Sequence, residues 1–227
     1  MPILHEVLPK YAEAGVAGLL HAVREVTEHG YLLEHIRETV TSPSALNDGQ
    51  LLAYQHPNGF SKIRLATIPE YDWVVRIHVW DHSAADSDIH CHRWNFASRV
   101  LAGSLTEKIY DISDQSAGSW RKFRCRSALG VYSLDHLGSC DIALAETLVY
   151  RAGDSYQRTA STFHRASSDS NSPTVTLFIQ GAAQHSATTV IRPAQAAQRN
   201  GDMPPREYQG DELQALLQSV LNIAFHA

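Results

Sequence analysis

Cysteine is scarce in this chain: Cys91, Cys125 and Cys140 are the only three in 227 residues. An odd, sparse set cannot build a disulfide framework, so a reducing compartment is expected and the fold must rest on burial. Long apolar runs are lacking as well. No stretch approaches the roughly 18 consecutive apolar residues of a membrane span, and the opening MPILHEVLPK has neither the basic start nor the apolar run of a secretion signal. A cytoplasmic protein with no membrane partner is the expectation. Basic residues are in deficit, 19 Lys and Arg against 24 Asp and Glu for a net charge of −5. Without a basic face there is nothing to neutralise phosphates, so nucleic acid is excluded as a partner. Internal repeats and low-complexity tracts are absent too.

What is present suits a globular protein, since 44% of the residues are apolar and the length suffices for one well-buried core or two small ones. In the first forty residues Leu4, Val7, Leu8, Tyr11, Val16, Leu19, Leu20, Val23, Val26, Leu32, Leu33 and Ile36 recur mostly at spacings of three and four. That spacing predicts one or two amphipathic helices. Residues 41 to 59 turn to Ser, Pro, Asn, Asp and Gly, which supply turns, and read as a connection. After Gly59 come short runs rich in β-branched and aromatic residues: KIRLATI, WVVRIHVW, WNFASRVLAGSLTEKIY, SWRKFRCRS, ALAETLVYRAG, TFHRASS, PTVTLFIQG and SATTVIR. Seven or eight strands with no helix between them predict an all-β sandwich or barrel. AQAAQRNGDMPPREYQG then reads as an exposed linker, and Leu213, Leu216, Leu217, Val220 and Leu221 as one face of a closing helix. The expected division is a helical extension with its connection over 1–59, the β-barrel over 60–192, and a linker with helix over 193–227.

The informative segment is DIHCHRWNF, residues 88 to 96. On a strand, alternation puts His90 and His92 on one face and sends Cys91 to the other. Two imidazoles so placed can converge on one divalent metal at roughly 2.0–2.2 Å if a third ligand arrives from elsewhere. His164, in STFHR, is the candidate. With 13 histidines in the chain, a chance H-x-H pair of hydrogen-bonded strand histidines is the competing reading, and spacing alone leaves both open.

The stretch from His90 to Gly103, HCHRWNFASRVLAG, resembles the first motif of the cupins, and Gly153 to His164 resembles their second. Most cupins carry a glutamate ligand a few residues after the second histidine, whereas residues 93 to 99 here contain no carboxylate. The three-histidine pattern is most similar to the thiol dioxygenases, typified by cysteine dioxygenase. Phe163-His164-Arg165 fits their Leu-His-Arg around the last ligand, the strand ending at Trp80 precedes the first histidine at a similar distance, and Arg64 falls near their carboxylate-binding arginine. The resemblance covers about 130 residues and implies an all-β, cupin-type β-barrel (a double-stranded β-helix or jelly roll) with N-terminal helices and a C-terminal helix. It implies a metal held by His90, His92 and His164, with iron(II) the expected ion and nickel, zinc or manganese the alternatives. It also implies dioxygen, a small-molecule substrate and a homodimer. The departures fall on a late strand, Thr176-Leu177-Phe178-Ile179-Gln180, where Phe178 replaces a histidine of that family and Gln180 a tyrosine. Ala97 falls near the cysteine that some members cross-link to that tyrosine. The resemblance therefore carries the metal site but not thiol dioxygenation as such.

Three neutral imidazoles leave the double charge of a divalent ion uncompensated, which favours anionic ligands. A substrate carboxylate needs a cation, and Arg64 and Arg76 are the candidates. Alternation groups Arg76, His78 and Trp80 on one face, opposite Val75, Ile77 and Val79; that polar face borders either a cavity or solvent. Gln180 is a candidate hydrogen-bonding partner of the substrate, and Trp80 and Phe178 are candidate apolar lining. The expected function is a non-haem iron(II) oxygenase or dioxygenase of the cysteine dioxygenase-like type, acting on a small carboxylate-bearing substrate, thiols included. The alternatives are a metal-dependent lyase or isomerase using Tyr156 or His78 as base, and a non-catalytic binding cupin. Cys125 and Cys140 read as buried small hydrophobes, and RKFRCR as a solvated or edge strand face.

Overall fold

The computed structural model describes residues 3–42, 46, 51–56, 58–81, 84–114, 118–128, 131–168, 173–195 and 206–225. Helices come first: α1 (Ile3–Val7), a 3-10 segment over Leu8–Ala14, α2 (Gly15–Glu28) and α3 (Tyr31–Thr41). The break between α2 and α3 falls at Gly30, whose φ of 75° is left-handed, a conformation without steric cost only where there is no Cβ. Thirteen strands follow among the described residues: β1 (Leu52–Gln55), β2 (Phe60–Ile68), β3 (Trp73–Trp80), β4 (Ile89–His90), β5 (Trp94–Ala102), β6 (Ser104–Asp114), β7 (Trp120–Ala128), β8 (Val131–Arg151), β9 (Ser155–Arg158), β10 (Phe163–Ser168), β11 (Thr174–Ala183), β12 (Thr188–Pro193) and β13 (Glu207–Tyr208). The chain closes with α4 (Gly210–Phe225).

Several strands lie where the sequence pattern did not place them. β1 falls in the turn-rich stretch and is held by antiparallel pairing with β2 and β13. The long run after Trp94 divides at Gly103, with φ 76°, where an added Cβ would lie 2.4 Å from the Thr174 hydroxyl. The first half of β8, with its Asp, His and Gly residues, has turn-like composition but pairs along β7. β7 itself is flanked by β12 and β8, so of the two readings of its charges the edge fails and the solvated face holds, with Arg124 and Arg126 exposed. Most of the expected linker before α4 lies outside the described residues.

The strands form two antiparallel layers. One runs β13-β1-β2-β3-β11-β5-β9, and the other closes through β10-β4-β12-β7-β8-β6. Within them β3-β11-β5-β9 and β4-β10-β6-β8 are contiguous, with the chain passing repeatedly between layers, which is the strand order of a jelly roll. The expected all-β jelly-roll barrel with N- and C-terminal helices is therefore the architecture observed.

Period-two alternation then divides the first layer. Val75, Ile77 and Val79 on β3 and Val175, Leu177 and Ile179 on β11 are buried in one cluster with Leu19, Val23 and Val26 of α2, Ile36 of α3 and Leu217 of α4. Each fully buried aliphatic side chain there contributes roughly 1.5–3 kcal/mol relative to exposure. Because the odd-numbered residues are committed to the helices, Arg76, His78, Phe178 and Gln180 turn the other way, into the barrel. The helices thus fix which side chains face the interior.

Candidate metal centre

β4 and β10 pair antiparallel with His164 directly opposite His90. His92 follows just beyond the two-residue strand β4, so its place is set by the turn into β5 rather than by a ladder. The imidazole centroids are 4.9 Å apart for His90 and His92, 5.0 Å for His90 and His164, and 5.1 Å for His92 and His164. One ring nitrogen from each lies within 4.8 Å of the others, and Nε2 of His92 is 3.0 Å from Nε2 of His164. Nitrogens this close fit a shared divalent ion at ligand bonds of about 2.0–2.2 Å.

Burial lowers the pKa of His90, opposed by Asp86 and reinforced by His164. Burial also pushes His92 well below the usual imidazole range, with His90 and His164 adding to the effect. Both are thereby held neutral, the form that ligates metals.

The outward nitrogens are tied down. His164 Nδ1–H donates to Glu107 Oε1 at 2.6 Å, which leaves Nε2 with its lone pair toward the cluster. Glu107 is 0% exposed and also accepts from Arg158, at 3.2 Å from Nε and 2.5 Å from Nη2. Burial alone would raise its carboxyl pKa, but His164 and Arg158 hold it below the usual range. His90 Nδ1 faces the Asp88 carbonyl at 3.3 Å, and the Asp88 carboxylate takes two bonds from Arg192, at 2.7 and 2.9 Å. Glu107 escaped the sequence reading, although a signal existed: a carboxylate at an inward position of an alternating strand, two residues after Leu105.

Cys91 stays out of the cluster, its Sγ accepting from the Thr189 amide at 3.4 Å. Cys140 is buried beside Ile89 and Ile191, whereas Cys125 is half-buried rather than in the core.

The three residues singled out for substrate gather on β2, β3 and β11. Arg76 donates to Gln180 Oε1 and lies 5.9 Å over the Trp94 ring. Arg64 stands directly opposite Arg76 in the β2–β3 register. Solvent is not what His78 faces: it is 7% exposed, and burial drives its pKa well down. Phe178 stacks on Phe96 at 4.5 Å and lies 5.0 Å from His78 and 6.1 Å from His92, so it forms an apolar wall between them. Trp80 instead stacks on Phe60 at 4.2 Å. Burial pushes the Tyr156 phenol far above its usual range, which keeps it protonated and unsuited to act as a base. Lys62, directly opposite His78 on β2, was not anticipated. Burial, with Arg76 adding to it, pulls its pKa down to about 7.

No protein-family model matches the chain, and no curated protein matches it by sequence. Solved structures similar to it include an RmlC-like cupin from Shewanella frigidimarina, with 13% identity, a TM-score of 0.35, and 61% of this chain and 89% of that one covered. KdgF from Halomonas sp. aligns with 14% identity and a TM-score of 0.36 over 60% of this chain and 92% of that one. Oxalate oxidase in complex with glycolate aligns with 14% identity and a TM-score of 0.36 over 59% of this chain and 55% of the oxidase. No described helix is long and apolar enough to cross a membrane. The chemistry is read from the side chains.

Proposed function

We propose that His90, His92 and His164 hold one iron(II) ion and that the protein is a non-haem oxygenase of the thiol-dioxygenase-like cupin type. Its substrates are dioxygen and a small carboxylate-bearing molecule. The observation that carries this reading is the convergence of three imidazole nitrogens, with no carboxylate among them, inside a barrel whose Glu107 and Asp88 orient the rings. When bound, such an ion supplies an uncompensated positive centre that attracts an anionic ligand and, as iron(II), supports dioxygen chemistry.

The chain's own residues do the rest. Arg76, its guanidinium steadied by Gln180, offers donors to a carboxylate, with Arg64 beside it across the strand pair. Phe96 and Phe178 keep water from the face between Arg76 and the histidines. Tyr156, kept as a phenol, donates rather than accepts a proton. Since Phe178 cannot form the hydrogen bonds of the histidine it replaces, cysteine is one probe among small thiols and carboxylates.

A metal-dependent lyase or isomerase is the second reading; it needs a base, and His78 is a buried imidazole on the same strand face as Arg76, although burial, Lys62 and Arg76 all oppose its taking a proton. Elemental analysis of wild type beside His164→Ala, followed by oxygen uptake of the iron-loaded protein with cysteine and other small thiols, separates the possibilities. Stoichiometric iron that His164→Ala loses, with substrate-dependent uptake, supports the oxygenase. Metal without uptake favours the lyase or isomerase, tight binding without turnover a binding protein, and no metal in wild type overturns the site.

A further inference from the structure

We propose that the barrel interior holds a second anion site, made by Lys62, Arg76 and His78, and that the substrate is a dicarboxylate whose apolar middle lies along Phe178. The inference rests on the proposed function for the metal centre and for Arg76 as a carboxylate partner, and adds Lys62 and His78 to it.

Lys62, Arg76 and the Trp94 indole can only donate, and His78 donates through Nε2 when its proton lies there. Lys62 makes no ion pair or hydrogen bond with the described residues; its ammonium lies 5.5 Å from the Phe60 ring. Asp86 attracts it, but the Asp86 oxygens bond Asn58 Nδ2 at 2.8 Å and the Ala166 amide at 2.9 Å. Arg76 is satisfied only by the neutral Gln180 and the Trp94 face, with no carboxylate bonded to it among the described residues. His78 Nε2 and Trp94 Nε1 are buried without any partner. A buried donor left unmade costs about 1–3 kcal/mol, and like charges side by side across a strand pair add to that. Arg76 opposes Arg64 in that way, and Lys62 opposes the neutral His78. A carboxylate, which only accepts, complements this whole set at once.

Phe178 lies between His92 and His78, its ring 6.1 Å from the first and 5.0 Å from the second, while Trp94, stacked on His92 at 5.8 Å and 5.9 Å from the Arg76 guanidinium, borders both ends. A ligand crossing the Phe178 ring meets the three histidines at one end and the cation group at the other. Two acidic ends joined by a short apolar chain fit that layout.

Calorimetric titration tests this with malonate, succinate and glutarate against butyrate, on zinc-loaded protein to prevent turnover and on chelator-treated protein. In the zinc form one of the dicarboxylates should bind about tenfold or more tightly than butyrate. Lys62→Met should keep its zinc and lose that preference, Arg76→Met should do the same, and Lys62→Arg should restore most of it. In the chelated form butyrate reads the second site alone, and Lys62→Met should weaken it several-fold. Equal binding of butyrate and every dicarboxylate by zinc-loaded wild type overturns the proposal. So does an unchanged preference in both Met variants, each checked by circular dichroism for a folded barrel. Failure of wild type to take up zinc counts against the three-histidine centre instead, and the chelated titration then decides the second site.

Discussion

Glu107 decides which nitrogen of His164 faces the other two histidines, because an acceptor-only carboxylate at 2.6 Å claims the Nδ1 proton. Replacing Glu107 with Gln should lower metal affinity about 10- to 100-fold, measured by competition with a chromogenic chelator. The same change removes the charge partner of Arg158, so thermal stability should fall as well. His92→Ala should lose stoichiometric metal, while Cys91→Ser should keep it, since Cys91 bonds Thr189 outside the cluster. Lys62 gives a pH signature. Its pKa falls from 10.5 in the open chain to about 7 on folding, so between those values the unfolded chain binds more protons and stability rises with pH. In chelator-treated protein Lys62→Met should therefore stabilise by roughly 1–3 kcal/mol at pH 6 and by nothing at pH 10.5; an equal gain at both values would remove the buried charge as its cause. The histidines were legible because H-x-H is a local motif, although His92 lies beyond β4 and is brought to the cluster by the turn into β5 and not by the strand alternation expected of it. Glu107 and Lys62 were not, because a carboxylate 57 residues from its imidazole and a lysine among cations acquire meaning only from pairings between distant strands.

At the scale of elements, β3 was read from the sequence almost to the residue, since WVVRIHVW alternates cleanly and its apolar half has helices to bury against. Ile77 is 0% exposed in that interface, so Ile77→Ala should cost about 2–4 kcal/mol in denaturant unfolding. The β5–β6 junction shows the opposite case, a continuous β-like run broken by a single residue. Gly103 adopts φ 76° within 2.9 Å of the Thr174 backbone for any added Cβ, so Gly103→Ala should destabilise by more than about 1 kcal/mol, seen as a lowered Tm. β1 and the first half of β8 were hidden by turn-forming composition. They become strands because β2 and β7 offer unpaired edges, a supply of hydrogen bonds that local propensity does not register.

For the whole molecule, the three histidines tie β4 to β10 and to the turn that enters β5, so an ion bound there cross-links the barrel interior. A ligand that binds only the folded state adds about 2.7 kcal/mol at a hundredfold excess over its Kd. Zinc or iron should accordingly raise the Tm of wild type by several degrees, and a chelator should reverse this, with no such shift in His164→Ala. By itself the sequence determined the class of fold, the helices at either end, which residues of β3 share a face and the imidazoles available to a metal, because periodicity and residue chemistry are local properties. Only the tertiary structure decided that Glu107 serves His164, that Arg76 rests on Gln180 and Trp94, and that Lys62 and His78 meet across β2 and β3. Those neighbours are set by the register of strands far apart in the chain, where a slip of one residue would turn every one of these side chains to the opposite face.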